Sequence, residues 1–492
     1  MAEGRPASVA VIGGGITGLA AAWELARRAG GPGVVVYEAD QRLGGKIRTD
    51  AFADQVVEAG PDAFLARVPH AIELCRELGL ADELVAPGAG RAYLWTRGRV
   101  RGLPEGLVLG VPSDLVGLAL SGVLSPLGLA RAALDLVLPA APHQPEEGDL
   151  SVGALVARRF GREAAERLVD PLLGGIHAGT IDRLSAAATA PQLLAALAGR
   201  RSLLAGLRGQ LAEQHQAEAA AAGGAAAGGG RPAPVFLTPA AGLGRLVDSL
   251  RQALVASGVA LRTGTPVTEL GRADGGWMVA TGGGVGAFDA VVVTTPAPAA
   301  AALLAQAVPA AASELAAIEH ASVVMATLGW PSAQAPGPPG GSGLLTPRVD
   351  GHLMTACSWY TAKWPHTAHG GLSVLRVSAG RAGDGRAMAM DDAELVAGLR
   401  SELRDALDIT AAPAAVRVTR WPDGFPQYTP GHLARVERIE RAVRAHPGLA
   451  VAGAPYRGVG IPACIASGRE AARAVLEGLA GAGRAAPSAR SG

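Results

Sequence analysis

Cysteine is scarce in this chain of 492 residues: Cys75, Cys357 and Cys464 are the only three. They are odd in number and far apart, which excludes a disulfide framework and a thiolate metal cluster and fits a reducing compartment. The 10 histidines form no HExxH-like pattern, so no metal is expected. Charge is low too, with 18% charged residues and a net charge of +1. No global field favours nucleic acid or strongly acidic partners. Long apolar runs are also missing. The most hydrophobic stretch, Leu107 to Leu138, is broken by Pro112, Asp114, Pro126 and Arg131. Its uncharged piece, Leu115 to Ala130, falls short of the roughly 20 residues that a spanning helix needs. A buried or surface-lying pair of apolar helices is expected instead. Met1 to Pro6 leads directly into a strand and carries no signal-peptide pattern.

What is present begins at Ala7. An apolar run, Val9 to Ile12, enters a cluster of glycines and then an alanine-rich helical pattern, and a second apolar run, Val34 to Tyr37, ends at Glu38. Strand, turn, helix, strand is the order of a dinucleotide-binding unit. Gly13 permits the tight turn, Gly15 lets the backbone approach a pyrophosphate, and Gly18 allows close packing of helix on strand. The helix N-terminus offers free N–H groups to phosphates, and Glu38 stands where a carboxylate receives a ribose diol. With 69 glycines in the chain, a GxGxxG alone is weak. The flanking strands and the acid at the right distance make it strong.

The residues after Glu38 select the dinucleotide. Arg42-Leu43-Gly44-Gly45-Lys46-Ile47-Arg48-Thr49 follows at once, and then Glu58-Ala59-Gly60-Pro61-Asp62. This resembles the signature of FAD-dependent amine oxidases and their relatives, in which the RxGG segment extends along the flavin. An ordinary loop turn at Gly44-Gly45 is the bland alternative, and the ordered match from Val9 to Thr49 outweighs it.

Further along, 70–85 reads as a helix and 91–103 as a hairpin turning at Arg97-Gly98. Helical periodicity dominates from Pro104 to Ala220, and the low-complexity stretch from Ala217 to Pro234 reads as a loop without fixed structure. Short strands are expected at 259–262, 265–270, 276–279 and 288–293, the last ending in an apolar run of the buried parallel kind. Ser322 to Trp330, His352 to Trp359 and Leu372 to Ala379 read as a second, largely antiparallel sheet. A helix is expected over Asp391 to Leu407, a strand over Leu449 to Gly453 and a helix over Ala463 to Leu479.

The chain as a whole resembles the oxygen-dependent porphyrinogen oxidases, the family of protoporphyrinogen oxidase and bacterial coproporphyrinogen III oxidase. The residues that carry the resemblance, besides the N-terminal signature, are Gly458-Val459-Gly460-Ile461-Pro462 with Cys464-Ile465, Phe425-Pro426-Gln427-Tyr428 with Gly431-His432, and Gly175-Ile176-His177-Ala178-Gly179 with Leu184-Ser185. Two positions depart from the pattern: Ala241-Gly242 replaces a usual Gly-Gly pair, and His177 stands where many members carry Phe or Tyr.

The resemblance implies an α/β fold like that of p-hydroxybenzoate hydroxylase and the amine oxidases. A discontinuous Rossmann-like FAD domain would comprise 6–86, 235–302 and 432–482. An antiparallel-sheet substrate domain would comprise 87–103 and 303–431, and a helical, membrane-binding-like insertion 104–216. Segments 217–234 and 483–492 would be disordered. Flavin contacts are implied along Gly13, Gly14, Gly15, Ile16, Thr17 and Gly18, at Glu38 and Ala39, and at Arg42, Gly45 and Lys46. Others are implied at Gly60, Pro61, Asp62 and Ala63, at Val267 and Trp421, and in the C-terminal turn at Gly453, Val459, Gly460 and Ile461. The two termini would thus fold together around one flavin.

The implied reaction is a six-electron oxidation of a porphyrinogen in three two-electron steps, with dioxygen reduced to peroxide. FAD carries the redox chemistry, so no acid–base triad is required. Arg91 aligns with an arginine that lies near a substrate propionate in the family, and a guanidinium can grip a carboxylate with two hydrogen bonds. His177, Lys363 and Arg376 are further substrate candidates, each also readable as a locally satisfied side chain. Coproporphyrinogen III is preferred as substrate, because TACSWYTAKWPH and GVGIPACI look like the enzymes of Gram-positive bacteria. Protoporphyrinogen IX is the second reading. An amine oxidase or carotenoid desaturase shares only the N-terminal signature, and a non-catalytic flavin- or porphyrin-binding protein is the reading of another class. A cytoplasmic monomer or homodimer is expected, with at most peripheral membrane contact, haem-pathway enzymes as partners and no nucleic acid.

Overall fold

A computed structural model of the chain describes residues 7–139, 148–222, 234–273, 275–333, 340–368 and 371–484. Its centre is a five-stranded parallel sheet in the order Ala260–Arg262, Gly33–Tyr37, Ser8–Ile12, Ala290–Val293, Leu449–Val451. The first strand of the chain lies in the middle, between Gly33–Tyr37 and Ala290–Val293, so strands far apart in sequence flank the glycine turn. Alternation sorts its side chains. Val9 and Val11 enter the core shared with the helices Ile16–Ala26, Gly244–Ala256 and Ile461–Arg484, while Ala10 and Ile12 enter the core on the opposite face. That second core contains Trp277 from a three-stranded antiparallel sheet and Val436 and Ile439 from the helix His432–Arg444.

The second sheet has seven strands, in the order Ala415–Pro426, His320–Pro331, Leu372–Ala379, Met354–Trp359, Gly343–Leu345, Ala92–Thr96, Arg99–Gly102. Every pairing is antiparallel except Gly343–Leu345 with Ala92–Thr96. One face is dry: Leu375, Val377 and Ala379 pack with Leu395, Leu399 and Leu403 of the helix Asp392–Leu407. That helix starts in a capping box between Asp391 and Glu394, which satisfies two otherwise free N–H groups. The other face turns toward a body of short helices, whose core takes in Leu94 and Leu345 from the sheet. Arg376 and Ser378, alternating with the dry positions, lie on this side.

The helical body folds around Leu155, Phe160, Leu168, Leu193 and Leu204. A π-helical stretch, Ala165–Gly174, accommodates Pro171 in mid-helix. Asp135 and Arg159 form a buried hub. Arg159 reaches Asp135 at 2.5 Å and the carbonyls of Pro139 and Arg201, and Asp135 also receives Ser202 and the Leu204 N–H. The expected apolar pair is found as Leu115–Ser121 and Pro126–Ala133, each started by a side-chain cap, Asp114 and Ser125. Leu120 and Leu127 are 83% and 84% exposed, with Val116 and Val137 also outward. Among the described residues no helix is long and apolar enough to cross a membrane.

Three expectations are corrected. Ala217 to Ala222 belongs to the helix Leu203–Ala222 rather than to a loop; 223–233 lie outside the described residues. The C-terminal helix likewise runs to Arg484, so the stretch expected to lack structure begins two residues later at the earliest, and 485–492 are outside the described residues. The run 288–293 is two strands, Gly284–Phe288 and Ala290–Val293. Asp289 separates them by turning its carboxylate onto the Ser8 N–H and hydroxyl, at 2.6 and 3.0 Å.

Candidate functional site

The glycine turn after Ser8–Ile12 is built as its spacing requires. Gly13 has φ +112°, and a Cβ there would lie 2.7 Å from the Thr294 hydroxyl; a Cβ on Gly18 would collide with the Gly13 carbonyl oxygen. Gly15 is different. A Cβ there would meet nothing within 4 Å, and Gly15 caps the helix Ile16–Ala26 with no side-chain acceptor on its N–H groups. A helix N-terminus therefore opens onto free space, the arrangement that receives phosphate. Glu38 closes one side, its two oxygens accepting the Gly14 N–H at 2.6 Å and the Asp40 N–H at 2.8 Å. Ala39 follows it on the surface, and Val267, half-buried, starts the strand beyond Thr265, whose N–H donates to the Glu38 carbonyl.

The RxGG segment runs alongside. Gly44 donates to the Gly14 carbonyl at 2.8 Å, and Gly45 has φ +58°. Arg42 donates to the carbonyls of Gly45 and Ile47, so it stiffens its own loop. Lys46 comes next, half-buried, with burial pulling its ammonium below the ordinary lysine range. A Cβ on Gly60 would collide with the Lys46 carbonyl oxygen, which is why glycine begins the Gly60–Ala63 loop. Trp421 donates to the Ala59 carbonyl at 2.9 Å and lays its ring beside Gly60.

A second helix N-terminus enters from the far end of the chain. Gly453, φ +121°, faces Thr17 and donates to Ser467 at 3.0 Å; Val459 and Gly460 then lead into the helix beginning at Ile461. The helices starting at Ile16 and Ile461 touch directly, since a Cβ on Gly468 would collide with the Thr17 carbonyl. Cys464 is buried beside them, and burial pushes its thiol up.

The four residues expected at the substrate do not form one group. Arg91 is exposed at the head of the strand Ala92–Thr96 and has no acidic partner among the described residues. His177 is 7% exposed, burial pulls its imidazole down to about 4, and its Nδ1 has no partner, so the ring is neutral near pH 7. Lys363 and Arg376 meet at Asp62 instead of facing an open slot. Lys363 Nζ lies 3.0 and 2.9 Å from the two Asp62 oxygens. Arg376 lies 3.4 Å from Asp62 and donates to the Gly60 carbonyl.

Sequence reasoning named Glu58 within its segment but gave it no role; it is 1% exposed, and its carboxyl is raised by burial to about 7 against the opposing bonds from the Leu243 N–H (2.6 Å) and the Thr49 hydroxyl (2.8 Å). It also named the Gln427–His432 segment without a role. Gln427 grips the His177 carbonyl at 2.9 Å, Tyr428 donates to the Ala454 carbonyl, and His432 stacks on Tyr428 at 4.0 Å and bonds the Tyr456 carbonyl at 2.8 Å. The strap ties the His177 turn to the C-terminal turn.

These residues fit FAD: an open, uncapped helix start at Gly15, a ribose acid at Glu38, a second helix start at Ile461, and a cation at Lys46 between them. The comparisons agree. Residues 16–476 match the flavin containing amine oxidoreductase family. The chain is 34% identical over 483 residues to coproporphyrinogen III oxidase of Bacillus subtilis (strain 168), covering 96% of this chain and 98% of the relative. It is 37% identical to coproporphyrinogen III oxidase of Propionibacterium freudenreichii subsp. freudenreichii, covering 97% and 92%. A crystal structure from Exiguobacterium sp. 255-15 that bears a protoporphyrinogen oxidase name superposes with a TM-score of 0.84 at 31% identity, covering 96% and 99%. The chain belongs to the flavin containing amine oxidoreductase family and is an FAD-dependent oxidoreductase.

Proposed function

We propose that the protein oxidises coproporphyrinogen III to coproporphyrin III in haem synthesis, with three dioxygen molecules taking up six electrons and six protons as three peroxides. One observation supports this above the rest. The Gly60–Asp62 loop runs from the two-helix crevice to Arg376 on the seven-stranded sheet, so the sheet face that carries Arg376 adjoins the crevice read as the flavin site. The chemistry supplied by bound FAD would be hydride acceptance from the macrocycle and reoxidation by dioxygen.

The chain's own residues bind and orient. The N–H groups at Gly15–Thr17 and at Gly460–Ile461 would hold the pyrophosphate end, and Glu38 the ribose. Arg91, exposed beside the strand Ala92–Thr96 and without an acidic partner among the described residues, would take a propionate. His177 stays neutral and walls the slot, leaving pyrrole protons to water.

The test is colour and rate. Purified protein should be yellow, should bleach anaerobically with coproporphyrinogen III, and should form coproporphyrin faster than protoporphyrin, followed by fluorescence. A preference for protoporphyrinogen IX overturns the substrate. A yellow protein that stays oxidised with both favours a binding role. Protoporphyrinogen IX is the second reading because of the exposed Val116, Leu120, Leu127 and Val137 surface, which suits a greasier substrate delivered at a membrane. In that reading the patch is the peripheral membrane contact, and flotation with lipid vesicles, lost in Leu120→Asp/Leu127→Asp, measures it.

A further inference from the structure

Resting on the reading of the crevice as an FAD site, we infer that Lys363 and Arg376 are positioning residues that act through Asp62 to hold the Gly60–Ala63 loop, and are not substrate-carboxylate ligands. The cluster joins two parts of the chain 301 residues apart. Asp62 lies between the two cations, and Trp364 adds its indole N–H at 3.3 Å. Burial alone would raise the Asp62 carboxyl; Lys363 and Arg376 outweigh it and hold it below the ordinary range. Arg376 is 4% exposed and also takes the Gly60 carbonyl, so its fork is turned toward the loop main chain. Lys363 is covered as well, its ammonium lying 5.8 Å from the Phe236 ring centroid and 5.3 Å from that of Trp364.

Two cations meet one aspartate, and the neighbouring Glu58 carboxyl, coupled to Arg376, is raised by burial to about 7, so positive charge is left beneath the loop that walls the crevice. Tyr360 closes the far side, with Arg376 5.6 Å from its ring centroid. A buried charge left without its partner is costly, so the cluster is an all-or-none clamp. Its surplus charge favours electron-rich ligands in the crevice.

The test separates loop positioning from substrate binding. In the holoenzyme, FAD affinity and flavin midpoint potential are measured for Lys363→Met, Asp62→Asn and the double variant, and KM for coproporphyrinogen III is measured at saturating FAD. Lys363→Met should weaken FAD about tenfold or more and lower the potential. Asp62→Asn should raise the potential, and the double variant should fall between the singles. KM should stay within about twofold in all of them, and Lys363→Arg should restore most of the affinity. Unchanged FAD affinity and potential with a raised KM in Lys363→Met overturns the inference. So does a lowered KM in Asp62→Asn, the result expected if freed cations served the substrate. Should Lys363→Met fail to fold, Asp62→Asn alone still decides. A wild type that takes up no FAD sinks the cofactor reading instead, and is a separate outcome.

Discussion

Two aspartates in this molecule, one buried and one half-buried, pair with cations to opposite ends. Asp135, in the helical body, is 0% exposed and is met by one guanidinium, a serine and the N–H groups that start the helix at Leu203. Its charges balance, and its surroundings hold only the helical body together. Asp62, at the crevice, is met by two cations, and one of them, Arg376, keeps an Nε with no partner. The balanced hub serves stability, whereas the unbalanced one sits where chemistry is done. Incomplete neutralisation, more than burial, marks the functional cluster.

The comparison breaks most readily at the balanced hub. Arg159→Met strands the Asp135 carboxylate and should cost about 3–5 kcal/mol in denaturant unfolding at saturating FAD. The flavin spectrum of the folded fraction should be unchanged, and a shifted spectrum would show that the hub reaches the crevice. At the crevice, Glu58→Gln tests the other side. The Glu58 pKa is raised from 4.5 to about 7, so in that window the folded state binds more protons than the unfolded state, and stability is lost as pH rises through it. Relative to Glu58→Gln, the wild type should therefore lose on the order of 3 kcal/mol between about pH 4.5 and 7. Equal urea midpoint differences at both ends of that range would remove Glu58 from the account.

A smaller effect is expected at the helix crossing. Gly468→Ala forces a methyl against the Thr17 carbonyl and should cost about 1–3 kcal/mol, seen as lower thermal stability together with weaker FAD binding. If stability falls while FAD affinity holds, the two helix starts do not share the cofactor. The smallest change belongs to the uncommitted cation. Arg91→Ala should raise KM roughly fivefold with little change in kcat, an exposed contact being worth about 1 kcal/mol. An unchanged KM removes Arg91 from the slot.

What the sequence revealed followed from local backbone demands. Gly13, Gly15, Gly18 and Glu38 lie within one strand–turn–helix–strand unit, so their spacing alone defines the crevice. The helix start at Asp391 and the hairpin at Arg97-Gly98 are legible for the same reason. Lys363 and Arg376 were placed at the substrate because nothing local shows that Asp62, some 300 residues away, claims both. Gly468 looks like any helical glycine until the Thr17 carbonyl is seen against it. The long strand Ala415–Pro426 went unread, since its mixed polar sequence suits an edge strand and lacks an apolar run. Ala217 to Ala222 was read by its low complexity, although alanine is the best helix former of all. Those residues simply extend a helix already begun.

The parallel pairing of Ala290–Val293 with Leu449–Val451 has a consequence for synthesis. A nascent chain that has not yet reached Leu449 presents four fully buried-type apolar residues as a bare sheet border, an invitation to wrong pairing. Prosthetic-group loading must then wait until Leu449–Val451 has been made, and chains cut before it should precipitate as colourless protein.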